Sequence, residues 1–551
     1  MTSLTKDNGV SNVHGARIET ETEDKIVSKQ TFEKHYPSSH AYDLLKPRWS
    51  ELTKYILAMS IGSLQVGWAI LGNTQTALIL AAQFEWAEED VKFYNSVLGN
   101  CGLVGVMIGS LFGGPLITDG RRRAILFFSV VMCVGVGLTL IQTFYTMCLG
   151  RLITGFSGGI LQMCNIKAVQ ETFPSTLVGL YGSSSGAFLA IGVFVVALIG
   201  GVTLPANEED YMEDKMWRLS YAFPLVWVAW QVLMVTTTWK YEPIDYLIRN
   251  NRDEEARKFL PMIWDVPEGH NIDTPEKRQQ HFNRFIQERR QELLKAQAAA
   301  AKITFKDAVF GKDYAKATWM ASGLNIGNQF SAIGPVCIYS STILKEVIEE
   351  TNGEFPITIR EGVLIVGATT MISAILGALP ARYYGRRLIL WTSHLALAIT
   401  HAIIAVLYAQ RSFVAMYVFM QVFIFCFYIG TGNVSFIYAG EACVDQAMGV
   451  VLGVRWMTEM FMSFTISFML ASKLGVVYTF WIYSILNFAA FLFMLQLKET
   501  RGKTPQQLKE LYWPESRKTT QQSTVNFSKV TPVSRPEARG ETELATPVEP
   551  A

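Results

Sequence analysis

Two opposite charges stand four residues apart inside an apolar run, Val454-Arg-Trp-Met-Thr-Glu-Met-Phe461. On a helix Arg455 and Glu459 share a face and can pair. Near mid-membrane each charge costs at least about 2.5–3.5 kcal/mol on insertion scales, so charges kept there mark a functional site by default. Arg455 could hold an anionic solute, with Glu459 as counter-ion or proton acceptor. Equally, the two could form an internally neutralised pair facing the interior of a helix bundle. A second polar set, Asn328-Gln-Phe-Ser331, offers amides that hydrogen-bond hydroxyls, because a buried polar group left unpaired costs about 1–3 kcal/mol. A third set consists of Arg121, Arg122, Arg386 and Arg387 together with Glu171, Glu242, Glu441 and Glu499, all at the ends of apolar runs. Such residues can pair across two halves of a membrane protein and close one side of it. Exposed pairs are worth about 0–1 kcal/mol each, which suits a gate that must switch. The same arginines can instead act as topology anchors, and both roles can hold at once.

These side chains need long apolar helices to carry them, and the composition supplies them. The 551 residues are 50% hydrophobic and 12% aromatic, with 17% charged and a mean hydropathy of +0.22. Soluble domains carry about 25% charged residues, so much of the surface is expected to face a lipid bilayer. A net charge of +1 gives no ground for nucleic acid as a partner. The seven cysteines lie in or beside apolar runs, show no metal-ligand spacing, and read as small buried residues. There is no Gly-rich phosphate loop, nucleophile elbow or His-based metal set, so neither a cofactor, a metal nor enzyme activity is expected.

A bilayer-spanning helix needs about 20 apolar residues. Six such stretches fall near 55–81, 95–118, 123–142, 146–172, 179–203 and 218–239, and six more near 316–345, 362–381, 388–409, 413–440, 447–471 and 475–497. The predicted organisation is a tail over 1–54, a six-helix bundle over 55–239, a charged helical linker over 240–313, a second bundle over 314–498 and a tail over 499–551. The first tail lacks the basic start and apolar core of a signal peptide and is too acidic for a mitochondrial presequence. The second is rich in Thr, Ser, Pro and charge and is expected to be disordered. Basic residues cluster before the first stretch, after the second and eighth, and in the linker, which places both termini and the linker in the cytoplasm; the plasma membrane is the favoured location. Gly114-Pro-Leu-Ile-Thr-Asp-Gly-Arg-Arg-Arg123 and Gly377-Ala-Leu-Pro-Ala-Arg-Tyr-Tyr-Gly-Arg-Arg387 end the second stretch of each half. They are an internal repeat of the kind shown by transporters built from parallel halves, whose site lies at mid-membrane between them.

Taken together, these loops resemble the sugar porter family of the major facilitator superfamily over about residues 50–510. Gly150-Arg151-Leu-Ile-Thr-Gly155 resembles the start of its fourth helix, and Glu171-Thr-Phe-Pro174 the Glu-x-x-Pro at that helix's inner end, with Glu441 in the matching place after helix ten. Glu242-Pro-Ile-Asp-Tyr-Leu247 and Lys498-Glu499-Thr-Arg-Gly502 resemble the motifs that follow helices six and twelve. The resemblance implies an all-α integral membrane protein of 12 transmembrane helices in two pseudo-symmetric six-helix bundles. It implies alternating-access transport of a small polar solute, a monosaccharide or relative. Arg121, Arg122, Arg151, Glu171, Glu242, Arg386, Arg387, Glu441 and Glu499 would form the gate. Asn328, Gln329, Phe436, Arg455, Trp456 and Glu459 would form the site, with Trp68, Tyr339 and Thr370 nearby.

Several positions depart from the family pattern. Gly334 stands where helix seven carries Asn, Gly186 where helix five carries a sugar-binding Gln, and Gly432-Asn-Val-Ser-Phe436 where helix ten carries Gly-Pro-x-Pro-Trp. Ala69 replaces the Asp of proton-coupled relatives, which favours facilitated diffusion over proton symport, and Arg455 and Glu459 replace two Asn. Arg382 stands where the second Gly-Arg-Arg loop carries an acid. These departures leave room for a second reading, a transporter-like chain that acts as a sensor or as a structural subunit of a membrane assembly with an unspecified partner.

Overall fold

The computed structural model describes residues 40–513 apart from 74–75, 175–176, 178–180, 183, 206–207, 268–273, 301–302, 473–474, 504–506 and 509. Most of the two predicted tails, and the side chain of Arg382, fall outside the described residues.

Among the described residues, eight helices are long and apolar enough to cross a membrane on those grounds alone, and a ninth unit joins Trp49–Met59 to Ile61–Leu71 through a 40° bend. Three further long units lie between them: Phe144–Thr172, the run Ala315–Gln329, Ile333–Ile338 and Ser340–Glu350, and Asp445–Ala471. The first and last of these are less apolar, carrying Arg151 with Glu171 and Arg455 with Glu459, and the middle one is cut into pieces of 15, 6 and 11 residues, each too short to cross a bilayer alone. Among the described residues the total is twelve units, six on each side of the linker. Those with the most polar faces sit in the fourth, seventh and eleventh places.

Within the first half, the second span (Glu88–Leu116) packs along the fourth (Phe144–Thr172) with almost no side chain between them. A Cβ on Gly155 would lie 2.1 Å from the Gly102 carbonyl, and one on Gly105 2.2 Å from that of Leu152. Small residues at such spacing let two backbones touch, which is how helices gain packing energy where lipid already satisfies the apolar faces. The first span meets the fifth (Ser184–Thr203) in the same way, through Gly67 against the Leu189 carbonyl. In the second half the ninth (Arg386–Ala409) and twelfth (Gly475–Met494) spans pack as a pair. The halves join through the second and eleventh spans and through the fifth and eighth (Ile359–Leu376).

The first span, expected unbroken over 55–81, is divided into Trp49–Met59, Ile61–Leu71 and Ala77–Gln83, and two spans nearer the site are also broken where the sequence predicts continuous helix. The seventh, expected over 316–345, stops at Gln329 and resumes at Ile333, with Ala332 at φ +60°. Asn487 Nδ2 donates to the Phe330 carbonyl at 2.9 Å, so the acceptor freed by the break is not left bare in the bilayer. The tenth span (Phe413–Phe427 continuing to Asn433–Ala442) passes through a wide π turn over Tyr428–Gly432, where Gly430 has φ −103° and ψ −110°. The prolines of the family pattern are absent, yet a hinge is there. Asn433 Nδ2 caps the carbonyls of Ala374 (2.9 Å) and Tyr428 (3.1 Å), and Ser393 Oγ accepts from Thr431 N (3.1 Å). Single π turns inside helices frequently mark functional sites.

The linker folds into helices Ile244–Arg249, Asp253–Ile263, Pro275–Ala300 and Phe305–Phe310. It clasps the chain before the first span. Lys46–Pro47 pair antiparallel with Trp264–Asp265, and Tyr42 packs its ring against Trp264 and Phe285.

Candidate functional site

The two Gly-Arg-Arg loops build the same construction twice, on the linker side of each half. Arg121 Nη2 pairs with Glu171 Oε1 at 2.6 Å and Arg386 Nη2 with Glu441 Oε1 at 3.1 Å. Glu242 Oε2 accepts the Arg122 backbone N–H at 3.0 Å, while Glu499 accepts those of Arg386 (2.9 Å) and Arg387 (3.1 Å). A carboxylate at the N-terminus of a helix satisfies its free donors and meets the positive end of its dipole. Next to it, Arg122 Nε donates to the Val235 carbonyl and Arg387 Nη2 to that of Leu495. Glycine is required by the backbone at 120, where φ is +133° and a Cβ would sit 2.6 Å from Glu242 Oε1; at 385 a Cβ would sit 2.4 Å from Glu499 Oε2, so a larger residue there would push that carboxylate aside.

These ion pairs lie within each half, not between halves as expected. They are also sheltered: the Arg121 and Glu171 side chains are 12% and 6% exposed. Removing one member of a buried pair costs about 3–5 kcal/mol, so the pairs are fasteners of each bundle and not the weak exposed contacts read from sequence. Arg151 lies elsewhere again, buried in the far part of the first half. Its Nε donates to the Leu98 carbonyl and its Nη2 to that of Ala69, both at 2.8 Å, tying the first, second and fourth spans together.

A cavity lies between the halves, with Gly186, Leu189 and Val193 from the fifth span on one side. Gln329, Gly334, Phe436, Arg455, Trp456 and Glu459 face it from the seventh, tenth and eleventh spans. Five of the predicted site residues therefore meet there. Arg455 lays its guanidinium over the Phe436 ring, 4.2 Å from the centroid, and donates from Nη1 to Asn325 Oδ1 (3.1 Å) and Ser435 Oγ (3.3 Å). The expected ion pair with Glu459 is not formed: no carboxylate lies within 4.0 Å of Arg455 among the described residues. Glu459 turns instead toward Gly334, where a Cβ would stand 1.4 Å from its Oε1. The space left by the missing Asn of helix seven is filled by a carboxylate from helix eleven.

Gly186 shows the same exchange. A Cβ there would lie 2.5 Å from Asn433 Oδ1, so an amide oxygen from the tenth span fills the place of the family's Gln. Arg455 Nε, Trp456 Nε1, Glu459 Oε1 and Asn433 Oδ1 are all buried without a hydrogen-bond partner. Groups left so in a native structure call for an explanation, and a ligand is one.

Four predicted residues stand off the cavity wall. Asn328 clamps the seventh span to the tenth, donating to the Thr431 carbonyl and hydroxyl at 3.1 Å each. Thr370 is buried beside Cys337. Trp68 stacks on Phe223 at 5.3 Å and lines a separate cavity with Gln65, Arg151 and Tyr221. Tyr339 bonds Ser96 Oγ at 3.1 Å, a contact between halves on the far side. On the linker side the halves meet at Leu111 and Gly453, with 2.2 Å from the leucine Cδ2 to where a Cβ would be. The central space is about 40 Å³, room for a water or so and not for a sugar, so this is a closed form. Sequence reasoning missed Asn325, Asn433 and Ser435. Asn325 lies four residues before Gln329, on the same helical face, and that spacing was the available signal; Asn433 and Ser435 lie within the tenth-helix motif, at positions that drew notice only for what they had lost.

The profile of the Sugar (and other) transporter family matches residues 55–512, and the chain belongs to that family. Hexose transporter 1 of Plasmodium vivax (strain Brazil I) is 26% identical over 234 residues, 40% of this chain and 46% of that protein. Hexose transporter 1 of Toxoplasma gondii is 24% identical over 409 residues, 70% and 69% of the two chains. Among solved structures, the major facilitator superfamily proton:xylose symporter XylE of E. coli, bound to 6-bromo-6-deoxy-D-glucose, superimposes with a TM-score of 0.68 at 19% identity, covering 84% of this chain and 99% of the other. The protein is a multi-pass integral membrane protein with the all-α fold of that superfamily, and the relatives it matches are transporters.

Proposed function

We propose that this protein moves a monosaccharide or a close relative across the membrane by alternating access, through facilitated diffusion. The observation that carries the reading is the set of buried, unpartnered polar atoms, Arg455 Nε, Trp456 Nε1 and Glu459 Oε1, that the eleventh span brings to a cavity between the two halves. Such atoms are costly unless a polar solute visits them. Gln329 and Trp456 supply the amide and aromatic surfaces that bind hydroxyls and a sugar face, and Arg455 and Glu459 set which solute is taken. The sensor or structural alternative drew on Gly334 and Gly186 as lost contacts, and the presence of Glu459 and Asn433 in those two spaces weighs against it.

Facilitation is favoured by Ala69 in place of the acid on the first span. The Ala69 carbonyl is bound by Arg151 and the neighbouring Trp68 faces away from the central cavity. The linker and both termini are assigned to the cytoplasm and the protein to the plasma membrane, on the distribution of basic residues. Uptake into proteoliposomes of hexoses, pentoses and sugar acids, with and without a proton gradient, tests the reading. Saturable uptake that ignores the gradient is expected. Gradient-driven accumulation would replace facilitation by symport, and absence of uptake across the panel by folded protein would favour the sensor or structural alternative.

A further inference from the structure

Two chemically different kinds of group stand at or beside the central cavity. One is cationic: Arg455 is buried, its Nη1 is held by the neutral oxygens of Asn325 and Ser435, its plane rests on Phe436, and its Nε has no partner. The other presents acceptor oxygens: Glu459 Oε1 over Gly334 and Asn433 Oδ1 over Gly186, both without a donor. A buried cation near mid-membrane needs an anion, and a planar guanidinium binds a carboxylate through parallel N–H bonds better than it binds a hydroxyl. Unpartnered oxygens need donors, which hydroxyls supply. Glu459, the carboxylate nearest in sequence, occupies the Gly334 recess and leaves the arginine without it.

Resting on the transport reading above, we propose that the solute is a sugar acid, a hydroxylated monocarboxylate. Its carboxylate binds Arg455, and its hydroxyls donate to Glu459 and Asn433. Glu459 is the internal competitor. In this closed form it rests in the Gly334 recess, which only a residue without a side chain leaves open. Driven from the recess, it can turn one helical turn back to pair with Arg455, a geometry the four-residue spacing allows. Gly334 thus keeps the internal counter-ion away from Arg455 and leaves the guanidinium to the solute's carboxylate.

The test uses purified full-length protein, with binding followed by tryptophan fluorescence and transport by uptake into proteoliposomes, using D-glucuronate and D-glucose. Wild type is expected to bind and move glucuronate at least about tenfold better than glucose, the scale of one charge-assisted contact. Arg455→Gln should remove that preference. Because it strands Glu459, the isosteric pair Arg455→Gln/Glu459→Gln removes both charges together; its unfolding temperature reports that it is folded, and it should lose the preference for glucuronate over glucose. Gly334→Ala, which drives Glu459 out of its recess, should weaken glucuronate about tenfold, and adding Glu459→Gln should restore it. Equal or better handling of glucose by wild type, or a preference for glucuronate retained by the double glutamine variant, overturns the proposal and leaves transport standing. If neither solute binds or moves while another hexose or pentose does, this proposal falls and transport stands; if nothing in the panel of hexoses, pentoses and sugar acids moves, the transport reading falls and this one with it.

Discussion

Glu242 and Glu499 perform one task in two places. Each carboxylate holds the start of the helix that follows a Gly-Arg-Arg turn, and each sits against a glycine that leaves no room for a Cβ. The bonds are charge-assisted, worth about 1.5–3 kcal/mol each where sheltered. Glu242→Gln and Glu499→Gln are therefore both expected to destabilise their own half by roughly 1–3 kcal/mol, read as a lower unfolding temperature of the purified protein in detergent. A change confined to one of the two would show that the repeat is not mechanically equivalent. The residue types and their order were legible in the sequence, because a repeated motif at the same place in two halves is a local signal. Their partners within each half were not. Whether Arg121 meets Glu171 or an acid of the other half depends on how six helices pack, which no local pattern records. Arg455 and Glu459 show the same limit: spacing says they can pair, and only the recess at Gly334 explains why they do not.

At the level of elements, the breaks in the seventh and tenth spans came from tertiary structure. Apolar composition predicts unbroken helix across 316–345 and 413–440, and the glycines there carry no obligatory kink. The breaks hold because polar side chains of other elements take up the freed backbone groups, Asn487 at Phe330 and Asn433 at Tyr428. The linker makes a second set of contacts. Asp265 receives Arg48 from ahead of the first span and Arg278 from the long linker helix. Although burial pushes its carboxyl up, the Val266 N–H and the two guanidiniums hold it below the usual range. An Asp depressed in the fold contributes stability at neutral pH and loses it as pH falls through its folded value. The clasp of Lys46–Pro47 on Trp264–Asp265 is thus expected to loosen on acidification, and Asp265→Asn to loosen it at neutral pH. Protection of residues 44–48 and 264–266 in hydrogen exchange measures both, and protection that does not depend on pH would remove Asp265 as its cause.

The whole molecule is shut on both sides of its cavity. Tyr339 meets Ser96 on the far side and Leu111 meets Gly453 on the linker side, and neither contact is an ion pair. If the halves rock about the central site, each contact must part in turn. Ser96→Cys/Tyr339→Cys and Leu111→Cys/Gly453→Cys, joined by a short thiol cross-linker, should each abolish uptake, while the unlinked variants retain it. Transport that survives either cross-link would mean that contact does not open during the cycle. Most of this architecture was legible in advance. Twelve apolar stretches, a charged linker between six and six, a repeated loop and a set of helix-end motifs together define the family and the fold, because the bilayer sets span length and composition independently of what each span touches. Which polar side chains face one another was decided only in three dimensions. Asn328, Thr370 and Trp68 carry the right chemistry but stand off the cavity, while Asn433 and Glu459 reach across to fill places left by glycines 186 and 334. A sequence records which atoms a helix carries. The rotation and closeness of neighbouring helices, set by many small packing contacts at once, decide where those atoms point.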